Sequence, residues 1–244
     1  MKKTYADLHL CPNTQNTEQT TRMINKASKL GYHVIAIPLP ANCTQEQIKT
    51  THNICTNTNV DFASRTDLNP KTPDELLHNL RKFRRKFEII SVQCQSKPVA
   101  RQAAKDRRVD LLSFPLLDYR SRFFDLAEAE LASTSQASLE IDTKPLLTLE
   151  SPARTRLLAN LRRETATAQA LHIPIILSSG VNNELLMRKP KEQAALASLF
   201  DLHEEQALEA VSTNPTTIVK RNRQKLDSRF IAPGIRVIRR GKDC

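Results

Sequence analysis

The sequence predicts an α/β protein, a single (β/α) barrel of TIM-like form with about seven parallel strands. Two observations predict it. Short apolar or β-branched runs alternate with amphipathic stretches of helical length from one end of the chain to the other, the pattern of a parallel sheet with crossover helices. About seven such units fill 244 residues, which suits one closed barrel with a well-buried core. Barrels of this kind carry function at the C-terminal ends of their strands, so the residues there are the ones to interrogate.

The strand runs, in order, are Tyr5–Leu10, His33–Pro38, Val60–Leu68, Phe87–Cys94, Val109–Phe114, Ser138–Asp142 and Pro174–Ser178. Between them the helix signals recur. Met23, Ile24, Ala27 and Leu30 form one face of the first helix, and Gly31 ends it. Thr44-Gln45-Glu46-Gln47 and Thr72-Pro73-Asp74-Glu75 read as capping boxes, the second with proline at the first helical position. Leu76, Leu77, Leu80 and Phe83 face inward from the third helix. Residues 115–136 read as an enlarged loop plus a helix. Ser151-Pro152 starts a long helix whose inner face is Leu157, Leu158, Leu161, Ala168 and Leu171. Asn214-Pro215 starts the last, with Ile218, Val219 and Leu226 turned inward. The barrel domain is expected over 1–226 and a basic C-terminal tail over 227–244.

Lys and Arg outnumber Asp and Glu by 37 to 26, and the resulting charge of +11 points to a polyanionic partner, nucleic acid or an anionic membrane. No apolar run approaches the roughly 20 residues that cross a bilayer. The opening Met1-Lys2-Lys3 leads to Asp7 rather than to an apolar segment, so no signal peptide is read and nucleic acid fits better. Cys11, Cys43, Cys55, Cys94 and Cys244 form no Cys-x-x-Cys pair and read as reduced cysteines of an intracellular protein. The glycines at 31, 180, 234 and 241 stand apart, which excludes a Walker loop and a G-x-G-x-x-G fingerprint.

The candidate chemistry is sparse. Alternation along the first strand places Asp7, His9 and Cys11 on one face and Leu8 and Leu10 on the other. Asp-x-His at a strand end could open a metal site, yet of six histidines only His9 stands at such an end. Arg65 and Asp67 share a face of the third strand, and Arg65 reads either as a phosphate contact at the barrel mouth or as half of an internal salt bridge. Ser178-Ser179-Gly180 ends the seventh strand, where backbone N–H groups could hold phosphate or where small residues simply permit a tight exit. Glu140 and Asp142 share a face with nothing read as accompanying them. Neither a Ser/His/Asp order nor Gly-x-Ser-x-Gly is present. Basic residues cluster on Arg81, Lys82, Arg84, Arg85 and Lys86, on Arg154, Arg156, Arg162 and Arg163, and on Lys220, Arg221, Arg223 and Lys225. Each cluster alone suits a solvated outer helix face; together they favour a surface for RNA or DNA.

Several segments, taken in order, resemble the ribonuclease P protein component 3 family, the thirty-kilodalton subunit shared by archaea and eukaryotes. They are Leu30-Gly31-Tyr32-His33-Val34-Ile35-Ala36-Ile37, Ser64-Arg65-Thr66-Asp67-Leu68, Val109-Asp110-Leu111-Leu112-Ser113-Phe114, Leu139-Glu140-Ile141, Ile175-Ile176-Leu177-Ser178-Ser179-Gly180 and Ala210-Val211-Ser212-Thr213-Asn214-Pro215. The resemblance implies a barrel like that of the polymerase-and-histidinol-phosphatase (PHP) group without a catalytic metal site, since Cys11 stands where that group carries a second histidine. It implies that the RNA subunit, which uses magnesium, performs catalysis, and that this chain binds no cofactor of its own. The implied partners are ribonuclease P RNA, the small protein subunit called Pop-five, the other ribonuclease P proteins and, indirectly, precursor tRNA. The lack of a long basic C-terminal extension resembles an archaeal, cytoplasmic member; a eukaryotic one would be nuclear.

On this reading the chain is an accessory RNA-binding subunit, and Arg65, Arg107, Arg108, Arg120, Arg122, Arg154 and Lys220 are the expected RNA contacts. Tyr119, Phe123 and Phe124 are the only aromatics near that basic cluster and read as core more readily than as base-stacking groups. The alternatives are an active PHP-type metal-dependent phosphoesterase, with residual metal binding at Asp7 and His9, and a protein scaffold whose charge serves solubility.

Overall fold

The computed structural model describes residues 3–115, 124–232 and 235–237. Seven parallel strands run in the order of the chain: β1 (Ala6–Asp7), β2 (Val34–Pro38), β3 (Asp61–Leu68), β4 (Ile89–Gln93), β5 (Leu111–Ser113), β6 (Ser138–Asp142) and β7 (Ile175–Ser178). Every strand falls inside a run expected from the sequence. They curl into a nearly closed barrel surrounded by α1 (Thr17–Leu30), α2 (Gln45–Asn57), α3 (Pro73–Phe83), α4 (Lys97–Lys105), α5 (Leu126–Thr134), α6 (Lys144–Thr148), α7 (Ala153–Ala170), α8 (Pro190–Ala195), α9 (Glu204–Ala210) and α10 (Thr213–Leu226).

Period-2 alternation sorts each strand between two cores. Ile35 and Ile37, Ile90 and Val92, Leu112, Leu139 and Ile141 face outward and pack with Met23, Leu76, Leu80, Val99 and Leu161 of the helices. Ala6, Leu8, Val34, Ala36, Ala63, Ile89, Leu111 and Ile176 face inward, where Ile218 and Val219 of α10 join them. The last helix therefore closes the barrel at the N-terminal ends of the strands. Its polar side ties the rim together. Asn222 donates to the Glu88 carbonyl and to Asp110, both at 2.8 Å, and Arg223 reaches Asp61 at 2.6 Å and Glu88 at 2.5 Å.

The helix caps follow their residue types. The Asn16 side chain accepts from Gln19 N, and Gly31 closes α1 in the left-handed region at φ 97°. Thr44 and Gln47 form the full reciprocal box. At α3 only one arm forms. Thr72 accepts from Glu75 N, but the Glu75 carboxylate turns to the N–H of Lys71, so this box is half of what the pattern predicts. Leu158 of α7 and Leu171 just after it, expected inside, are only half-buried, while Asn160, Glu164 and Thr165 take buried places in the helix. Past Leu226, within the segment assigned to a basic tail, β8 (Phe230–Ala232) and β9 (Ile235–Arg236) pair antiparallel.

Glu128 in the first turn of α5 is buried against α4. Its Oε1 has no hydrogen-bond partner among the described residues, and Arg101 meets its other oxygen only at 3.4 Å while holding Asp125 at 2.7 Å. Burial raises this carboxyl from 4.5 to about 8, with Arg101 opposing the rise. The folded chain thus holds the proton more tightly than the unfolded one. Its contribution to stability is complete below about pH 4.5 and is lost as pH rises through about 8. Glu128→Gln should leave the urea midpoint unchanged at pH 4.5 and raise it at pH 9; equal midpoints at pH 9 would refute the assignment.

Candidate functional site

A bend at Leu8 breaks the alternation expected for the first strand. Ala6 and Leu8 both point into the barrel, Leu10 packs outside, and His9 turns over the mouth. Asp7 is not on a shared face with His9. Its carboxylate accepts the His9 N–H at 3.1 Å and the Ser179 N–H at 2.9 Å. Burial raises the Asp7 carboxyl, and those hydrogen bonds oppose the rise. Among the described residues β1 and β7 share no ladder; they are joined instead by this side chain, by Gly180 N to His9 O and by Cys11 N to Val181 O, both 2.9 Å.

Arg65 lies at the centre of the mouth on the inner face of β3 and is 0% exposed. Its Nη1 and Nη2 donate to the two oxygens of Glu140 at 2.5 and 2.7 Å, a bidentate fork. Nη1 also reaches the Leu8 carbonyl at 2.7 Å, and Nε donates to Asp67 at 2.6 Å. Of the two readings the sequence left open, the internal ion pair is the one formed. This guanidinium offers no surface to a phosphate, because one carboxylate on its own strand and another three strands away claim its donors. Glu140 is not unaccompanied either, since Ser178 donates to it at 2.7 Å and Ser91 at 3.3 Å.

His9 bridges the remaining carboxylates, with Nε2 3.2 Å from Asp67 and Nδ1 2.9 Å from Asp142. Burial and the Arg65 charge push the imidazole down, but Asp142 and Asp67 outweigh them and hold it well above its ordinary value as an imidazolium. Burial pulls the other way on Asp67, and Arg65 and His9 keep that carboxyl well below the usual range. The mouth therefore sets two cations against three carboxylates.

His9, Glu140 and Asp142 place one ligand atom each within 4.8 Å of one another, as a metal centre requires. The donors are spent, however. Both ring nitrogens of His9 face carboxylates and both oxygens of Glu140 hold Arg65. With a fully buried guanidinium in place, this set does not fit a metal ion. Nor do the small residues after β7 form a phosphate cradle, since Ser179 N and Gly180 N are committed to Asp7 and His9. Gly180 adopts φ +62°, and a Cβ there would lie 2.7 Å from Cγ of Asp142.

The other expected contacts are scattered over the surface. Arg107, Arg154 and Lys220 are exposed. Arg108 is half-buried, with its guanidinium on Asp106 at 2.9 and 2.6 Å. Arg120 and Arg122 lie outside the described residues, as do Tyr119 and Phe123. Phe124 is buried, edge-on to Phe114 with ring centroids 5.9 Å apart. Several cations read as solvent-facing are half-buried and bonded to other parts of the chain. Arg84 and Arg221 both bind Asp110, and Lys86 donates to the carbonyls of Ala41 and Cys43. The exposed Lys225 lies beside them; burial, then Arg221, Arg84 and Arg107, lower its ammonium. Asp110 immediately before β5 was the signal for this group, and its partners lie 26 and more than 100 residues away.

The family described as RNase P subunit p30 matches residues 4–227. The Ribonuclease P protein component 3 of Methanosarcina barkeri is 29% identical over 235 residues, 96% of this chain and 95% of that protein. The component 3 protein of Methanosarcina acetivorans is 32% identical over 172 residues, 70% of this chain and 71% of that protein. A chain in the cryo-EM structure of archaeal Ribonuclease P with mature tRNA has the same fold, with a TM-score of 0.85 at 19% identity, covering 98% of this chain and 100% of that one. Ochratoxinase of A. niger shares the fold more loosely, with a TM-score of 0.58 at 10% identity over 88% of this chain and 71% of that one.

Because Gly180 combines positive φ with close approach to Asp142, Gly180→Ala should cost about 2 kcal/mol or more in urea unfolding. Gly31, also at positive φ but with open space around it, should lose less when changed to alanine. The reverse order would show that the approach to Asp142 is not what demands glycine.

Proposed function

This chain belongs to the RNase P subunit p30 family, and we propose from that membership that its exposed cations brace the folded RNA of ribonuclease P. The chain is an accessory subunit of that ribonucleoprotein, which removes the 5′ leader of precursor tRNA, and it works with the other ribonuclease P proteins, with RNA and with tRNA. The observation that carries the reading is the family match over residues 4–227, nearly the whole chain.

The mechanism is electrostatic. Lys and Arg side chains neutralise phosphates and release condensed counterions, which favours compact RNA. A net charge of +11 supports this, as does the exposure of Arg107, Arg154 and Lys220. Arg108 belongs to the set through its neighbour Arg107, with Asp106 holding its planar fork in one orientation. Arg120 and Arg122 extend the same cluster in sequence. Arg65 is not part of the surface. Its ion pairs also disfavour the phosphoesterase alternative, because they leave the donors of a hydrolytic centre engaged. Catalysis then rests with the RNA and its magnesium, and this chain needs no cofactor. The small subunit Pop-five is the proposed protein neighbour. No helix among the described residues is long and apolar enough to cross a membrane, and a cytoplasmic setting is proposed because the relatives compared are archaeal.

Arg107→Glu combined with Arg108→Glu should reduce cleavage of precursor tRNA by the reconstituted complex at low magnesium by about tenfold, with the far-ultraviolet circular dichroism unchanged. The slope of log affinity for the RNA against log salt should become shallower by about 2, one per lost phosphate contact. Unaltered cleavage and slope would remove this cluster from the interface.

A further inference from the structure

We propose that the barrel mouth is a cation site with its cation built in: the Arg65 guanidinium serves in place of a divalent metal ion that His9, Glu140 and Asp142 would otherwise hold, so shortening Arg65 opens a metal site. The proposal concerns the chain itself and does not rest on the RNA-binding reading.

A cluster of carboxylates would not by itself carry this. The second observation is the positive group already seated on the donors. The guanidinium is fully buried and bonded to three carboxylate oxygens at 2.5, 2.6 and 2.7 Å. Its contacts come from the Leu8 carbonyl after β1, from Asp67 on β3 and from Glu140 on β6, so it occupies the space between strands on different sides of the barrel. Those are separate walls around one point. His9, Glu140 and Asp142 already bring ligand atoms within 4.8 Å of one another without any metal to gather them.

Charge makes the guanidinium obligatory. Glu140 is buried, and Asp67 and Asp142 are largely shielded from water. Unpaired carboxylates cannot be held that close in a poorly solvated interior. Truncation of Arg65 at Cβ removes the guanidinium and its stem, leaves three carboxylates and one imidazole around the vacated space, and withdraws one positive charge. Oxygen donors with a single imidazole suit manganese or zinc. Manganese is the cleaner probe here, because the thiols of Cys11, Cys43, Cys55 and Cys94 compete for zinc.

The test compares wild type, Arg65→Ala and Arg65→Ala with Glu140→Gln, each refolded with and without manganese(II), then dialysed and measured for bound manganese and for thermal midpoint. Arg65→Ala is expected to be much less stable than wild type without metal, to retain about one manganese per chain, and to gain several degrees in midpoint on metal addition. Wild type should retain none and show no shift. Adding Glu140→Gln should weaken manganese binding about tenfold or more, because a carboxylate ligand becomes a neutral amide. The proposal is overturned if folded Arg65→Ala takes up no more manganese than wild type, if it fails to fold even in manganese, if wild type retains an equivalent, or if the double variant binds as tightly as the single one.

Discussion

Burying carboxylates at the open end of a barrel requires positive charge from within the chain, and the Arg65–Glu140 pair meets that requirement. A bidentate pair in a poorly solvated interior contributes little net stability, because desolvation offsets most of the attraction, yet removing either partner is costly. Its structural effect is to set geometry. Arg65 fixes the separation of β3 and β6, draws the Leu8 carbonyl inward, and with Asp67 supports His9. His9 then carries the network to Asp142, whose side chain leaves room beside it for glycine alone at position 180. A single buried ion pair thus reaches the gap between β1 and β7, where, among the described residues, Asp7 substitutes for a ladder.

The same logic governs the opposite end of the barrel. There the acidic groups Asp61, Glu88 and Asp110 mark the strand entrances, and Arg84, Arg221 and Arg223 converge on them. Three arginines meet three carboxylates at that end, whereas the mouth keeps one carboxylate in excess of its two cations.

The architecture was legible in the sequence because it depends on local signals. Strand runs, caps and inward-facing leucines each reflect a few neighbouring residues, and they agree with the folded chain at β1 to β7 and at α1 and α2. What was illegible depends on distant pairing. Nothing near Arg65 reveals that Glu140 waits 75 positions away, so a buried fork and an exposed phosphate contact look alike. Arg84, Arg221 and Arg223 read as solvated faces because their acceptors sit on other strands. The bend at Leu8 was missed for a related reason. Alternation assumes a straight strand, and β1 keeps only two residues of ladder before Asp7 reaches for β7.

The position of α10 has a consequence for how the polypeptide matures. Ile218 and Val219 complete the floor of a barrel whose first wall, β1, is made more than 200 residues earlier. A nascent chain emerging from the ribosome would hold an open-bottomed cylinder with apolar lining until its final helix clears the exit tunnel. Closure therefore follows the synthesis of all seven strands, and until then the apolar lining stays open to solvent and to aggregation.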